Sequence, residues 1–393
     1  MSMRKNLHLD HIDEAIFTNG DAGAKQALEL LFSLCENSKD VFVTTKWDGA
    51  PAIFAGTDPM DGKFFVATKS IFNKTPKLYK EASDIAANEP PAKSIKLIEA
   101  LKWLKQLNIP EDTILQGDLL WTSGDHKYRI FEGKKYITVH PNTLIYAWED
   151  GTPMAQSVRN AELGIVFHTT YRGQGDIQNY QATFGANVSK LNKLREVWVQ
   201  DSFLDIPMFS EKVTQEVSKY LNEASSVYDK ANVTKIMESI PSSASGANIK
   251  TFFNTNIRLG VYPNRDSFDS YVEYVKQYYT QRVIESVKTE SSKHSKKVQL
   301  RQLLEDMKNK EVSFNNAFFY TSLINEAKLR IVDAINTYSN QKVFVEMNGE
   351  LKESNHEGYV VVNSYTGDGM KLIDRESFSH YNFNSNVSKG WSK

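Results

Sequence analysis

A chain of 393 residues with 47 Lys and Arg against 48 Asp and Glu, and 40% hydrophobic residues, has the make-up of a globular protein of one or two domains, not a disordered or fibrous one. The net charge of −1 excludes binding to nucleic acid through overall charge, so such a partner would have to meet a local basic patch. A lone cysteine, Cys35, excludes an internal disulfide and a cysteine-rich zinc site and fits a reducing cytoplasm, and neither a membrane-length apolar run nor the apolar core of a signal peptide is expected.

In chain order, "AGAKQALELLFSLCEN" (22–37) spaces Ala27, Leu28, Leu30, Leu31 and Leu34 as one face of a helix. "DVFVTTK" and "APAIFAG" read as strands, and "DPMDGKFFVATKSIF" leads into a third through the hairpin signal Asp61-Gly62. "SIKLIEALKWLKQL" (94–107) is amphipathic and helical. "TILQGDLLW", the hairpin-like "YRIFEGKKYITV", "NTLIYAWED" and "ELGIVFHTTY" complete a strand-rich first half.

From about residue 185 to 340 the 3.6-residue period takes over, in "SEKVTQEVSKYLNEASSVYDKA", "SFDSYVEYVKQYYTQRVIESVKTE" and "NNAFFYTSLINEAKLRIVDAINTY". "SIPSSASGAN" (239–248) reads as a loop between helices. Strands return in "EGYVVVN" and "GMKLID". The expected fold class is α+β: antiparallel sheets with flanking helices, split by a mostly helical insertion. The expected divisions are 1–184, 185–345 and 346–393.

The stretch "TTKWDGAPAIF" holds Lys46 just before an Asp-Gly pair. Alone, Lys-x-Asp-Gly marks a strand ending in a turn beside a solvated lysine. Other segments add to it. "LQGDLLW" places Asp118 at the edge of an apolar strand, and "LIYAWED" puts Tyr146 and Trp148 on one strand face. "HEGYVVVN" puts Glu357 before a strand, and "GMKLID" puts Lys371 within one. A lysine, carboxylates on separate strands, an aromatic wall and a second lysine together can hold a nucleotide, neutralise its phosphates and present an amine to its α-phosphorus.

The order and spacing of these segments resemble the covalent nucleotidyltransferase superfamily of ATP-dependent DNA ligases, RNA ligases and mRNA-capping enzymes, over about residues 40–175 and 350–380. "KWDG" is similar to motif I, which implies that Lys46 accepts the nucleotide; Asp48 would orient the lysine or accept from its ammonium, and Gly49 would let the backbone approach the nucleotide. Thr45 then flanks the nucleotide. "FVATKS" resembles the segment after it, with Lys69 in place of an arginine. "GDLL" resembles motif III through Asp118, and "IYAWED" motif IIIa, with Trp148 as base stacker and Tyr146 beside it. "EGYVV" resembles motif IV through Glu357, and "MKLI" motif V through Lys371. The resemblance implies ATP as substrate and Mg²⁺ held by Asp118 and Glu357. Lys69, Lys371 and the metal would then disfavour the charged form of Lys46 and activate its amine. Two positions depart from the pattern. Pro51 stands where an arginine is usual, so Lys69 or Lys74 must serve. Gly369 and Ile373 stand where motif V has a second lysine, leaving Arg375 as a candidate phosphate contact.

Bland readings hold elsewhere. His8 and His11 are surface residues by default, His356 is a loop histidine by default, and Tyr146 or Trp148 taken singly is as readily a core aromatic. The run Lys288, Lys293, Lys296, Lys297 and Arg301 is either a solvated helix face or a set of phosphate contacts for nucleic acid.

Three functions compete: an ATP-dependent polynucleotide ligase, a capping guanylyltransferase, and a non-catalytic nucleotide or nucleic-acid-binding module. About 20 residues follow Lys371, too few for the roughly five-stranded barrel that DNA ligases and capping enzymes carry there. The expectation is therefore a phage-type RNA ligase, monomeric and cytoplasmic, with a DNA or hybrid nick ligase as the alternative.

Overall fold

The computed structural model describes residues 9–231, 249–339 and 341–390; "SIPSSASGAN" and His8 lie outside them. In chain order the strands are β1 (Val41–Lys46), β2 (Ala52–Thr57), β3 (Phe64–Ala67), β4 (Thr113–Trp121), β5 (Lys127–Phe131), β6 (Lys134–Val139), β7 (Ile145–Glu149) and β8 (Leu163–Arg172). They continue with β9 (Gln181–Phe184), β10 (Val197–Asp201), β11 (Phe203–Leu204), β12 (Lys342–Met347), β13 (Glu350–Ser354), β14 (Gly358–Asn363) and β15 (Gly369–Leu372).

These strands form three sheets, ordered β11-β1-β14-β15, then β10-β8-β4-β2-β3 with β9 beside β8, then β13-β12-β7-β6-β5. Among the described residues every ladder is antiparallel except β8 with β10. The α+β class with antiparallel sheets and flanking helices is therefore the observed one.

Strand alternation explains where polar side chains end up, because successive residues face opposite sides of a sheet. In the first sheet Val43, Tyr359, Val361, Met370 and Leu372 pack into one core with the helices Ala15–Cys35 and Glu311–Tyr338. Their neighbours Thr44, Lys46, Val360 and Lys371 fall on the opposite face. In the second sheet Ile53, Leu115, Leu119, Ile165 and Phe167 join a core with the helix Pro91–Leu104. Gln116, Asp118, Val166 and His168 alternate with them and face away. The two inner faces enclose a cavity of about 330 Å³. Charged residues there, where apolar ones are the default, mark a site.

The helical region begins at Glu211, not near 185. β10 and β11 fall inside the expected insertion, yet they pair with β8 and β1 and belong to the sheets. Nor do the helices build a core of their own. Phe252, Tyr271, Phe314 and Ile331 share one cluster with Leu31 and the back of the first sheet, because the amphipathic faces need that sheet to bury against. Buried charges tie the N-terminal segment to this layer. Lys328 Nζ donates to Asp13 Oδ1 at 3.0 Å, and Arg375 donates to Glu14 and Asn254. Among the described residues no helix is long and apolar enough to cross a membrane.

Candidate active site

Lys46 is the last residue of β1 and pairs in register with Gly358, so its side chain emerges beside Glu357 at the start of β14. Its ammonium forms an ion pair with Glu357 Oε2 across 311 residues of sequence. Burial alone would lower the Lys46 pKa, but Glu357, Asp118 and Asp48 outweigh it and hold the pKa above the ordinary lysine value. These three carboxylates favour the charged form of the amine.

Burial raises the Asp118 carboxyl to about 7 against the pull of Lys46, with Asp48 adding repulsion. Glu357 is raised for the same reasons, burial first, although Lys46 opposes the shift. Lys371 is lowered by burial and by Lys46. Lys69, at the start of the short helix Lys69–Phe72, lines the cavity from its exposed edge and draws Asp118 down. Thr45 also lines the cavity, its N–H donating to Ser202 O at 2.7 Å.

Asp48 does a different job from the expected one. Its carboxylate accepts from Asn142 Nδ2 at 2.7 Å and from the backbone N–H groups of Thr143 at 2.7 Å and Leu144 at 2.9 Å. Its own N–H donates to the Tyr146 hydroxyl at 2.6 Å. Asp48 therefore ties the turn after β1 to the chain entering β7, and reaches Lys46 only through charge. Gly49 permits the close approach: a Cβ there would lie 2.7 Å from Asp118 Cβ and 2.9 Å from Leu119 O.

The expected set divides in two. Thr45, Lys46, Lys69, Asp118 and Lys371 line one cavity with Glu357 against Lys46, whereas Tyr146 and Trp148 do not line it. Tyr146 is fully buried behind Asp48, and Trp148 packs 5.8 Å from Trp121 and 5.9 Å from Trp198 in ring-centroid distance, on the third sheet. The physical reason is sheet membership: β7 pairs with β6 and β12, so its residues cannot face the space between the first two sheets. Arg375 is buried on Glu14 and Asn254 and does not line the cavity in place of the second motif V lysine, and Lys74 does not line it in place of the missing arginine. Lys293, Lys296, Lys297 and Arg301 lie on the helix Glu290–Asn309 and do not line this cavity. Lys293 pairs with Glu290 and Lys296 with Gln299, as on a solvated face.

Residues not singled out from sequence also enter. His168 Nε2 lies 3.7 Å from Asp118 Oδ2 while its Nδ1 meets Thr169 Oγ1 at 2.8 Å, and burial with Lys46 holds its pKa at about 4. Gln116, Phe184 and Val360 complete the wall. Alternation along "LQGDLLW" and "GIVFHTTY" already put Gln116 beside Asp118 and His168 beside Val166. Only the pairing of β4 with β8 shows that these faces coincide.

Among the described residues there is no group of three or more His, Cys, Asp or Glu side chains that could hold a metal unaided. Burial raises both Asp118 and Glu357, so a further cation beside them would favour their charged forms. Magnesium needs one or two carboxylates beside phosphates and water, so the pair fits it.

A family model, described as a family of unknown function (DUF6267), matches residues 6–388. No curated protein and no solved structure matches the chain.

Proposed function

The chain belongs to DUF6267, and from the geometry of the Lys46 cavity we propose that it is an ATP-dependent polynucleotide ligase of the covalent nucleotidyltransferase type, acting on RNA in the cytoplasm. One observation carries the reading. Lys46, Lys69, Asp118 and Lys371, remote in sequence, converge on one cavity, and Glu357 is bonded to the lysine. The cavity's volume of about 330 Å³ lies at the lower end of the roughly 300–1,000 Å³ usual for small-molecule sites.

In this reading Lys46, Lys69 and Lys371 meet the phosphates, and Phe184 and Val360 offer apolar surface to the base. Lys46 Nζ attacks the α-phosphorus of ATP. The ammonium first gives one proton to Glu357, already its hydrogen-bond partner; an N–P bond then forms, the bond to the pyrophosphate oxygen breaks, and a second proton leaves the nitrogen for solvent. Asp118, with Glu357 beside it, would hold a Mg²⁺, which would supply positive charge at the phosphates. A 5′-phosphate oxygen then takes the AMP, breaking the N–P bond. A 3′-hydroxyl attacks that 5′-phosphorus, AMP leaves, and the hydroxyl proton goes to solvent.

The test is label transfer. With α-labelled ATP and Mg²⁺, label is expected on the denatured chain and absent from Lys46→Ala. Label from GTP alone would point to a capping reaction, and no label from either nucleotide, with pyrophosphate removed, would refute covalent nucleotidyl transfer. Sealing of nicked RNA, DNA and hybrid duplexes then identifies the strand.

A further inference from the structure

Behind Trp47 lies a second, larger cavity of about 670 Å³, bounded by β7, by β10 and β11, and by the C-terminal end of the helix Glu311–Tyr338. Trp47, Trp148 and Trp198 contribute to its wall, each only 6–9% exposed. Trp148 and Trp198 stand at 69° to each other, so their faces and edges present a shaped aromatic surface, not a flat stack. Trp198 Nε1 donates to Met154 Sδ at 3.4 Å, whereas among the described residues the indole N–H groups of Trp47 and Trp148 have no acceptor.

His356 lines the same cavity, is 91% buried, and its Nδ1 has no hydrogen-bond partner among the described residues. An unsatisfied buried polar atom costs about 1–3 kcal/mol, so its persistence calls for a partner. Burial lowers its pKa to about 4, so the ring is neutral and can donate at one nitrogen and accept at the other. Thr45 and Gln200 add further polar edges.

Indole surface on the walls, neutral hydrogen-bonding groups at the edges and unused donors match a flat ring with a polar rim. We propose that this second cavity binds a planar heteroaromatic ring of the nucleobase kind, separately from the nucleotide at Lys46. Because Trp47 and Thr45 line both cavities, a ring held here rests directly behind the residue that follows Lys46. The site does not depend on Lys46 chemistry and stands or falls on its own test.

Saturation-transfer NMR on the full chain reads it directly, with adenosine or a ten-residue oligoadenylate as probe and excess inorganic tripolyphosphate, which carries no base, at the Lys46 cavity. Saturation of the base protons is expected to survive tripolyphosphate. It should weaken about tenfold or more in Met154→Trp, where an indole at a half-exposed position of the wall fills the cavity, and also in Trp148→Phe. Met154→Trp gives up only the bond from Trp198 Nε1 to the sulfur, so it decides the matter if Trp148→Phe folds poorly. A signal from adenosine alone identifies a free nucleoside as ligand, and a stronger one from the oligonucleotide identifies a strand. Loss of the signal on adding tripolyphosphate, or no change in Met154→Trp, overturns the site. A chain that takes label on Lys46 but shows no tripolyphosphate-resistant signal refutes this site alone, and the reverse result refutes nucleotidyl transfer alone.

Discussion

Replacing Asp48 with alanine separates two accounts of this residue. Three donors converge on its carboxylate: the Asn142 amide and the backbone N–H groups of Thr143 and Leu144. The Asn142 side chain is partly buried and can turn to water, but the bonds from the two backbone groups are buried. A buried donor left without a partner costs about 1–3 kcal/mol, so Asp48→Ala should lose about 2–6 kcal/mol. At about 2 °C per kcal/mol for a large domain, the midpoint of thermal unfolding should fall by roughly 4–12 °C. Asp48→Asn keeps one acceptor for the two amides and should lose about 1 kcal/mol, since a neutral acceptor is roughly half as strong as a charged one. Circular dichroism melts together with ATP labelling provide the readout. If Asp48 is an anchor, stability and labelling fall together, Ala more than Asn. A variant Asp48→Ala that melts with the wild type, or an Asp48→Asn that abolishes labelling without any change in melting, would refute the anchoring argument.

Asp118 gives a pH test. Its carboxyl is raised from 3.8 to about 7 in the folded chain, so the folded state holds its proton more tightly than the unfolded one. Its contribution to stability is complete below pH 3.8 and is lost as pH rises through 7. Asp118→Asn should thus flatten the decline in melting temperature between pH 4 and about 8, and parallel profiles for both chains would contradict the burial argument. Gly49→Ala would drive its methyl group against Asp118 Cβ and Leu119 O, costing about 1–3 kcal/mol and displacing Asp118. It should cut labelling by about tenfold or more, and a fully active variant would show that the close approach is not needed. Lys328→Met removes a cation buried with Asp13. Although burial pushes the Asp13 carboxyl up, Lys328 and Arg375 hold it well below the usual range. Breaking a buried pair costs about 3–5 kcal/mol; Arg375 and Tyr262 still contact Asp13, so the lower end is expected in urea unfolding.

Much of the scaffold was legible because its signals are local. The two-residue alternation in "DVFVTTK", "LQGDLLW" and "EGYVVVN" determined which side chains face a core and which do not. The 3.6-residue period marked the helices Glu211–Ala231, Phe268–Tyr279 and Glu311–Tyr338, and the motif order marked Lys46, Asp118 and Lys371 as polar residues on strands and Glu357 just before one. What sequence could not determine was which face meets which. That depends on pairings between distant strands: β1 with β14 sets Glu357 against Lys46, and β4 with β8 adds His168. The pairing of β7 with β12 carries Trp148 away to a second cavity. Hydrogen-bond partners of a buried carboxylate are likewise long-range, so Asp48 looked like a neighbour of Lys46 and proved to be an anchor for Thr143 and Leu144. Residue type and periodicity are properties of a short stretch of chain. Charge balance at Lys46, and with it the protonation of the amine, belongs to the assembled pair of sheets.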